Sequence, residues 1–291
     1  MKGSKDMKKL ISLAAAVVML VTSAFSGTVF AAYTDVAEDN RYSKAITTLS
    51  KLGVINGYED GTFKPDGSIT RAEFTKIVTY TLGLSELKTE PKEFSDISEH
   101  WARYNIKTAY DQGIINGFED GTFRPDENVT YEQALKMVVC TLGYGSFAEA
   151  AGGYPQGYQT QATALDLTKS ITGLGYDQPA SRGAIAQVVY NALEVETKKL
   201  DGNTWVSSGK NLLNDYLGVK KFKGEMAGVE DYVTGNCHGA LLKGQMQMVN
   251  VNDTSDYITM DYTEYTSNIT DVSKLLVKMI TVYYRQKNEA D

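Results

Sequence analysis

The stretch Gly53–Thr70 returns sixty residues later as Gly113–Thr130, identical at 12 of 18 positions with no gap. A repeat at this period constrains the fold more than composition can. Each copy is one supersecondary unit, too small to bury its own apolar face, so copies must stack and share a core. Both copies keep Gly57/Gly117, Asp60-Gly61/Asp120-Gly121, Phe63/Phe123 and Pro65/Pro125. Asp-Gly supplies a turn position that tolerates positive φ, and Pro65-Asp66-Gly67 supplies a second reversal. Thr70 and Glu73 then form a Thr-x-x-Glu capping box, which Thr130 and Gln133 repeat. The helix that follows places Phe74, Ile77, Val78 and Leu82 at helical spacing and stops at Gly83.

A first helix precedes each turn. In the first unit it spans Arg41–Leu52, with Ala45, Ile46, Leu49 and Leu52 on one face. Helices this short are marginal alone and need neighbouring units. A third, degenerate copy is expected near the end of this array. Gly157–Leu167 is its first helix, and Pro179-Ala180-Ser181-Arg182 restates the opening of the second one. Its Asp-Gly-Thr-Phe turn is lost, and the Gly/Ala-rich stretch 143–157 before it is expected to be a loop. The shared core is expected to be Phe74, Ile77, Val78, Met137, Val138, Val188 and Val189. At the first position of the second helix the three copies carry Arg71, Tyr131 and Arg182. Such a position lies beside unpaired N–H groups and the positive end of the helix dipole. Arginine adds a planar fork suited to carboxylate or phosphate.

Tyr33-Thr34-Asp35 and Phe94-Ser95-Asp96 open the first two units, and Asp-Gly-Thr-Phe-Lys/Arg-Pro-Asp follows a Gly-x-Ile-Asn-Gly segment in both. With Ile69-Thr70-Arg71-Ala72-Glu73, this pattern closely resembles the S-layer homology domain, a helical module of bacterial envelope proteins. The resemblance implies a three-unit helical array, a pseudo-threefold bundle, with units at 32–88, 89–145 and 146–197. It also implies a ligand: secondary cell-wall polysaccharide attached to peptidoglycan, whose pyruvate-ketal carboxylates lie in grooves between neighbouring units. Carried onto this chain, the carboxylate contacts are Arg71 and Arg182, and Trp101 is the sugar-stacking platform. Asp35 and Asp96 match the family's opening aspartate and also read as caps or turn formers. Tyr131 stands where arginine is expected, which makes the second unit's contact weak.

Residues 1–31 read as a secretory signal: Lys2, Lys5, Lys8 and Lys9, then the apolar run Leu10–Leu20, with cleavage expected after Ala31. No later segment is apolar enough to span a bilayer. The formal charge is −7, and loss of the lysine-rich leader makes the chain more acidic, which argues against nucleic acid and anionic lipid as partners. Two cysteines, Cys140 and Cys237, make no disulfide framework. Two histidines in the whole chain support neither a His-based triad nor a His-rich metal site. A calcium-loop register ending at Glu73 would place Lys64 among the ligands, so no metal and no cofactor is expected.

Beyond 198 the texture turns to Gly-, Asn- and Asp-punctuated runs rich in β-branched and aromatic residues, a small β-rich domain over 198–291 with a short helix at Asp271–Leu276. The chain ends soon after a predicted strand, as a piece of a longer protein would. The expected class is multidomain α+β. The expected function is a non-catalytic, exported cell-wall protein held by its repeats. The alternatives are an anchored enzyme or sensor whose activity lies in 198–291, and an S-layer lattice protein.

Overall fold

The computed structural model describes residues 19–21, 33–84, 93–229, 232–261 and 275–284. The leader outside 19–21, its cleavage site, and most of the helix expected at Asp271–Leu276 lie outside the described residues. Two compact units are present, one of residues 28–218 and one of 1–27 with 219–291. Both helices and antiparallel sheets occur, an α+β chain.

The first unit is mainly helical: α1 (Ser43–Lys51), α2 (Arg71–Thr81), α3 (Arg103–Asp111), α4 (Tyr131–Thr141), α5 (Gly145–Ala150), α6 (Gln156–Ala164) and α7 (Arg182–Ala192). Both capping boxes form, Thr70 with Glu73 on α2 and Thr130 with Gln133 on α4. Ser181 caps α7 alone, because Ala184 has no side chain to return the bond.

A cap satisfies only part of a helix's first turn. The remaining N–H groups are met across repeats. Arg71 and Ala72 donate to the carbonyls of Glu127 and Pro125, Tyr131 and Glu132 to Gln178 and Tyr176, and Arg182 and Gly183 to Gly67 and Pro65, all at 2.8–2.9 Å. Each second helix is therefore closed by the turn of a different repeat. Inside these contacts, Ile69 donates to Ala180, Ala180 to Val129 and Val129 to Ile69, so three backbone hydrogen bonds run in a ring.

The expected core residues are buried except Ile77, which is half-buried. Gly183 shows how tight the closure is. A Cβ there would lie 2.4 Å from the Tyr42 ring and 3.0 Å from the Pro65 carbonyl. Gly183→Ala is expected to destabilise the helical unit by about 1–3 kcal/mol, as overpacking does. Urea unfolding checks this, and an unchanged midpoint would show that the two repeats yield there at no cost.

Two expectations need correction. The stretch 143–157 is not all loop, since α5 forms within it. Gly157 lets the chain cross close to α5, its missing Cβ standing 2.0 Å from the Ala148 carbonyl oxygen. The glycine and alanine that look like a loop in sequence are a close helix contact. The helical unit also runs past 198 to Gly218. The hairpin β2 (Glu196–Asp201) and β3 (Thr204–Asn211), with a π-helical turn at Leu212–Tyr216, belongs to it. Lys198 N–H donates to Leu142, Leu213 N–H to Leu193, and the Tyr144 hydroxyl to Glu196. Those strands read as β-rich sequence but are tied to the helices by backbone bonds.

The second unit holds one antiparallel sheet in the order β1 (Met19–Val21), β8 (Met279–Tyr284), β4 (Lys220–Val229), β6 (Gln245–Asn250) and β7 (Asp253–Asp261), with β5 (Tyr232–Val233) also paired to β4. Its core is rich in methionine: Met226, Met246, Met248 and Met260 pack with Ile280 and Val282. Methionine fills irregular gaps without demanding one geometry. Strand β1 falls within the segment read as a leader and covers the edge of β8 at three residues.

Candidate functional site

Each turn is braced by its opening aspartate. Asp35 accepts from the N–H groups of Phe63 and Lys64, both at 2.7 Å, and Asp96 accepts from Phe123 and Arg124 at 2.9 and 2.7 Å. Lys64 and Arg124 both sit at φ 57°, a left-handed conformation that costs a non-glycine residue about 1–2 kcal/mol. A carboxylate receiving two N–H groups offsets that strain. The aromatic residue two positions before each aspartate belongs to the same device. Tyr33 lies against Gly57 and Phe94 against Gly117, where any Cβ would fall 2.2 Å from the ring.

The arginines do not serve the turns of their own repeats. Arg182, on α7, reaches the first repeat's turn: its Nε donates to the Phe63 carbonyl at 2.8 Å and an Nη to the Asn56 carbonyl at 2.9 Å. The guanidinium lies over the rings of Tyr58 and Phe63, 4.8 and 4.6 Å from their centroids. Arg71, on α2, reaches the second repeat's turn in the same way. Its Nε donates to Phe123 at 2.8 Å and its Nη1 to the Gln133 amide oxygen at 3.2 Å, over Phe118 and Phe123. Both arginines are buried. Burial pulls the Arg71 pKa down to about 10, which still leaves it charged at neutral pH.

A cavity of about 580 Å³ opens beside the first turn. Its wall includes Asn56 and Phe63 from the turn, Glu73 and Lys76 from α2, Trp101 from just before α3, and Arg182 from α7. Three repeats thus supply one site. Lys76 Nζ stands 5.7 Å from the Trp101 ring, and Trp101 is 54% exposed, a large apolar face left open beside two cations. Glu73 is already engaged, receiving the Thr70 N–H at 2.9 Å. His100 holds the approach to Trp101: its Nδ1 accepts the Ala102 N–H and its Nε2 lies 3.2 Å from an Asp126 oxygen. A cavity with a buried guanidinium, an exposed lysine and an exposed indole suits an anionic group attached to a ring.

Of the residues singled out from sequence, Arg182 and Trp101 meet in this cavity, and Arg71 occupies the equivalent place beside the second turn. The carboxylates of Asp35 and Asp96 are taken by backbone N–H groups. Tyr131 is buried against Tyr176, with rings 5.6 Å apart and parallel, and its hydroxyl has no hydrogen-bond partner among the described residues. Lys76 went unnoticed in the sequence. The available signal was the sixty-residue period, which places Lys136 at the matching position of α4. Tyr154, missed likewise, precedes α6 as Trp101 precedes α3, and Lys136 Nζ lies 5.2 Å from its ring. Among the described residues no group of three His, Cys, Asp or Glu is placed to hold a metal ion, and no helix is long and apolar enough to cross a membrane.

Comparison with known proteins agrees with the repeat. The S-layer homology domain family matches residues 32–75 and 93–135. A cell surface protein of Thermoanaerobacter kivui is 33% identical over 207 residues, 68% of this chain and 26% of that protein. A middle cell wall protein of Brevibacillus brevis is 32% identical over 197 residues, 65% of this chain and 18% of that one. A cellulosome-anchoring protein of Acetivibrio thermocellus is 36% identical over 118 residues, 39% of this chain and 26% of the relative. The chain spans about a quarter or less of the length of these relatives. The two matched copies of the repeat, 32–75 and 93–135, with their turns and capped helices, are S-layer homology domains.

Proposed function

We propose that residues 32–197 form a pseudo-threefold array of three units and that its first groove binds an acidic saccharide of the secondary cell-wall polysaccharide. The chain itself is then a non-catalytic anchor, held without a covalent bond to polymer attached to peptidoglycan. S-layer homology domains and cell-surface relatives locate it at the bacterial cell envelope. The ring of hydrogen bonds through Ile69, Val129 and Ala180 supports the threefold reading of the array.

The observation that carries the binding proposal is the convergence of Arg182, Lys76 and Trp101, from three different repeats, on one cavity. A pyruvate-ketal carboxylate would take its charge-assisted bonds from Arg182 and Lys76, while the sugar ring lies on the indole. Arg71, Lys136 and Tyr154 stand in the corresponding places beside the second turn. Asp35 and Asp96 act at one remove, by holding the turns that shape the grooves. The testing experiment is retention of the chain on purified peptidoglycan, before and after chemical removal of its attached polysaccharide. Retention is expected to vanish with the polymer. Equal retention on stripped peptidoglycan overturns the proposal.

A further inference from the structure

The second turn is flanked by counterparts of three residues of the first cavity. Arg71 stands for Arg182, Lys136 for Lys76, and Tyr154 for Trp101. At the position of Ala72 on α2, however, α4 carries Glu132. Its carboxylate accepts from the Tyr154 hydroxyl at 3.0 Å and from the Gln159 amide at 3.3 Å. Both oxygens are thereby fixed at the aromatic platform. Glu132 and Lys136 are four residues apart on one helix, so they share a face and the carboxylate offsets the ammonium there. The first cavity also contains a carboxylate, Glu73, but at the cap of α2, where it receives the Thr70 N–H. The counterpart of Glu73 in the second repeat is Gln133, which is uncharged. Each groove therefore keeps one acid, and what differs is its place: at the cap in the first, on the sugar platform in the second.

We propose that Glu132 closes the second groove to acidic saccharides, so that the first groove is the principal site and the arginine of the second works as a structural tie. A ligand carboxylate entering beside Arg71 would meet a fixed negative charge. The platform hydroxyl that would otherwise donate to it is already given to Glu132. The inference rests on the proposed reading of the first groove as an acidic-saccharide site.

Replacing Glu132 by the residue that the first repeat carries tests this. Full-length chain is titrated calorimetrically with a methyl hexopyranoside bearing one pyruvate ketal. Wild type is expected to bind about one per chain, and Glu132→Ala about two, with second-groove affinity raised about tenfold by loss of the nearby charge. Adding Lys136→Ala to Glu132→Ala should return the count to about one. Melting curves confirm that each variant is folded, and Glu132→Gln, which keeps an acceptor for Tyr154, should also gain the second site if Ala loosens α4. One site in wild type and in both folded Glu132 variants overturns the inference and leaves the function reading standing. Two sites already in wild type do the same. No binding by any variant overturns the reading itself and the inference with it.

Discussion

Arg182→Ala is expected to destabilise the helical unit by about 3–6 kcal/mol, the loss of two hydrogen bonds from a charged donor at roughly 1.5–3 kcal/mol each. The donor side is buried and its acceptors, the carbonyls of Phe63 and Asn56, lie 119 and 126 residues away in sequence. Truncation leaves those carbonyls without their partner and removes the contact with the Tyr58 and Phe63 rings. Arg71→Ala should follow the same direction with a smaller effect, because one of its two acceptors is the Gln133 amide, which can turn to another donor. Arg182→Lys should rescue little, since a single ammonium cannot serve both carbonyls in the plane of a guanidinium. Urea unfolding of the chain measures each change. A loss below about 1 kcal/mol for Arg182→Ala would mean that the arginine faces solvent in solution and that its hydrogen bonds to the turn are weak. Either way, loss of wall retention in an arginine variant cannot be assigned to ligand contact without an unfolding curve beside it.

This is where reading the sequence fell short. The arginine position at the first turn of α2 is legible, but in sequence it reads as a fork for carboxylate or phosphate, not as a tie to another repeat's turn. The caps are present as expected, because Thr70, Glu73, Thr130 and Gln133 act over three residues. Turn chemistry was legible for the same reason, down to the glycines that accept positive φ at 61 and 121. Whatever depends on which repeat sits beside which was not. A motif residue looks as though it serves its own unit, yet Arg71 reaches the second repeat's turn and Arg182 the first. Tyr131 therefore marks a deficit beside the third repeat, where Tyr176 stacks on it, and the second repeat's turn keeps an arginine. Asp35 and Asp96 could be read as ligand contacts or turn formers from sequence, and the paired N–H bonds to Phe63 and Lys64 and to Phe123 and Arg124 are not legible there, because they join residues 27–29 positions apart. The hairpin β2–β3 was misassigned because strand-like composition carries no information about the neighbour its backbone pairs with.

Binding and folding come apart at Trp101. It is 54% exposed, so Trp101→Ala should leave the unfolding midpoint close to wild type. The same change removes the exposed indole face from the first cavity. Ring stacking on an indole combines burial of apolar area with a favoured geometry, and its loss is expected to lower affinity for an acidic cell-wall saccharide about tenfold to hundredfold. On the intact polymer the loss should be larger than with a single sugar, because occupied sites along one chain reinforce each other through effective concentration. Tyr154→Ala provides the contrast. Its hydroxyl is held by Glu132, and burial together with that carboxylate pushes its pKa up to about 12. If the second groove is closed, Tyr154→Ala should change saccharide affinity less than threefold, within the effect of about 0.5 kcal/mol usual for a surface substitution. Titration of both variants with the same pyruvylated glycoside decides the matter. Equal losses from Trp101→Ala and Tyr154→Ala would mean that the two grooves share the ligand evenly. No loss from Trp101→Ala would remove the indole from the site and leave Arg182 and Lys76 to hold the anion alone.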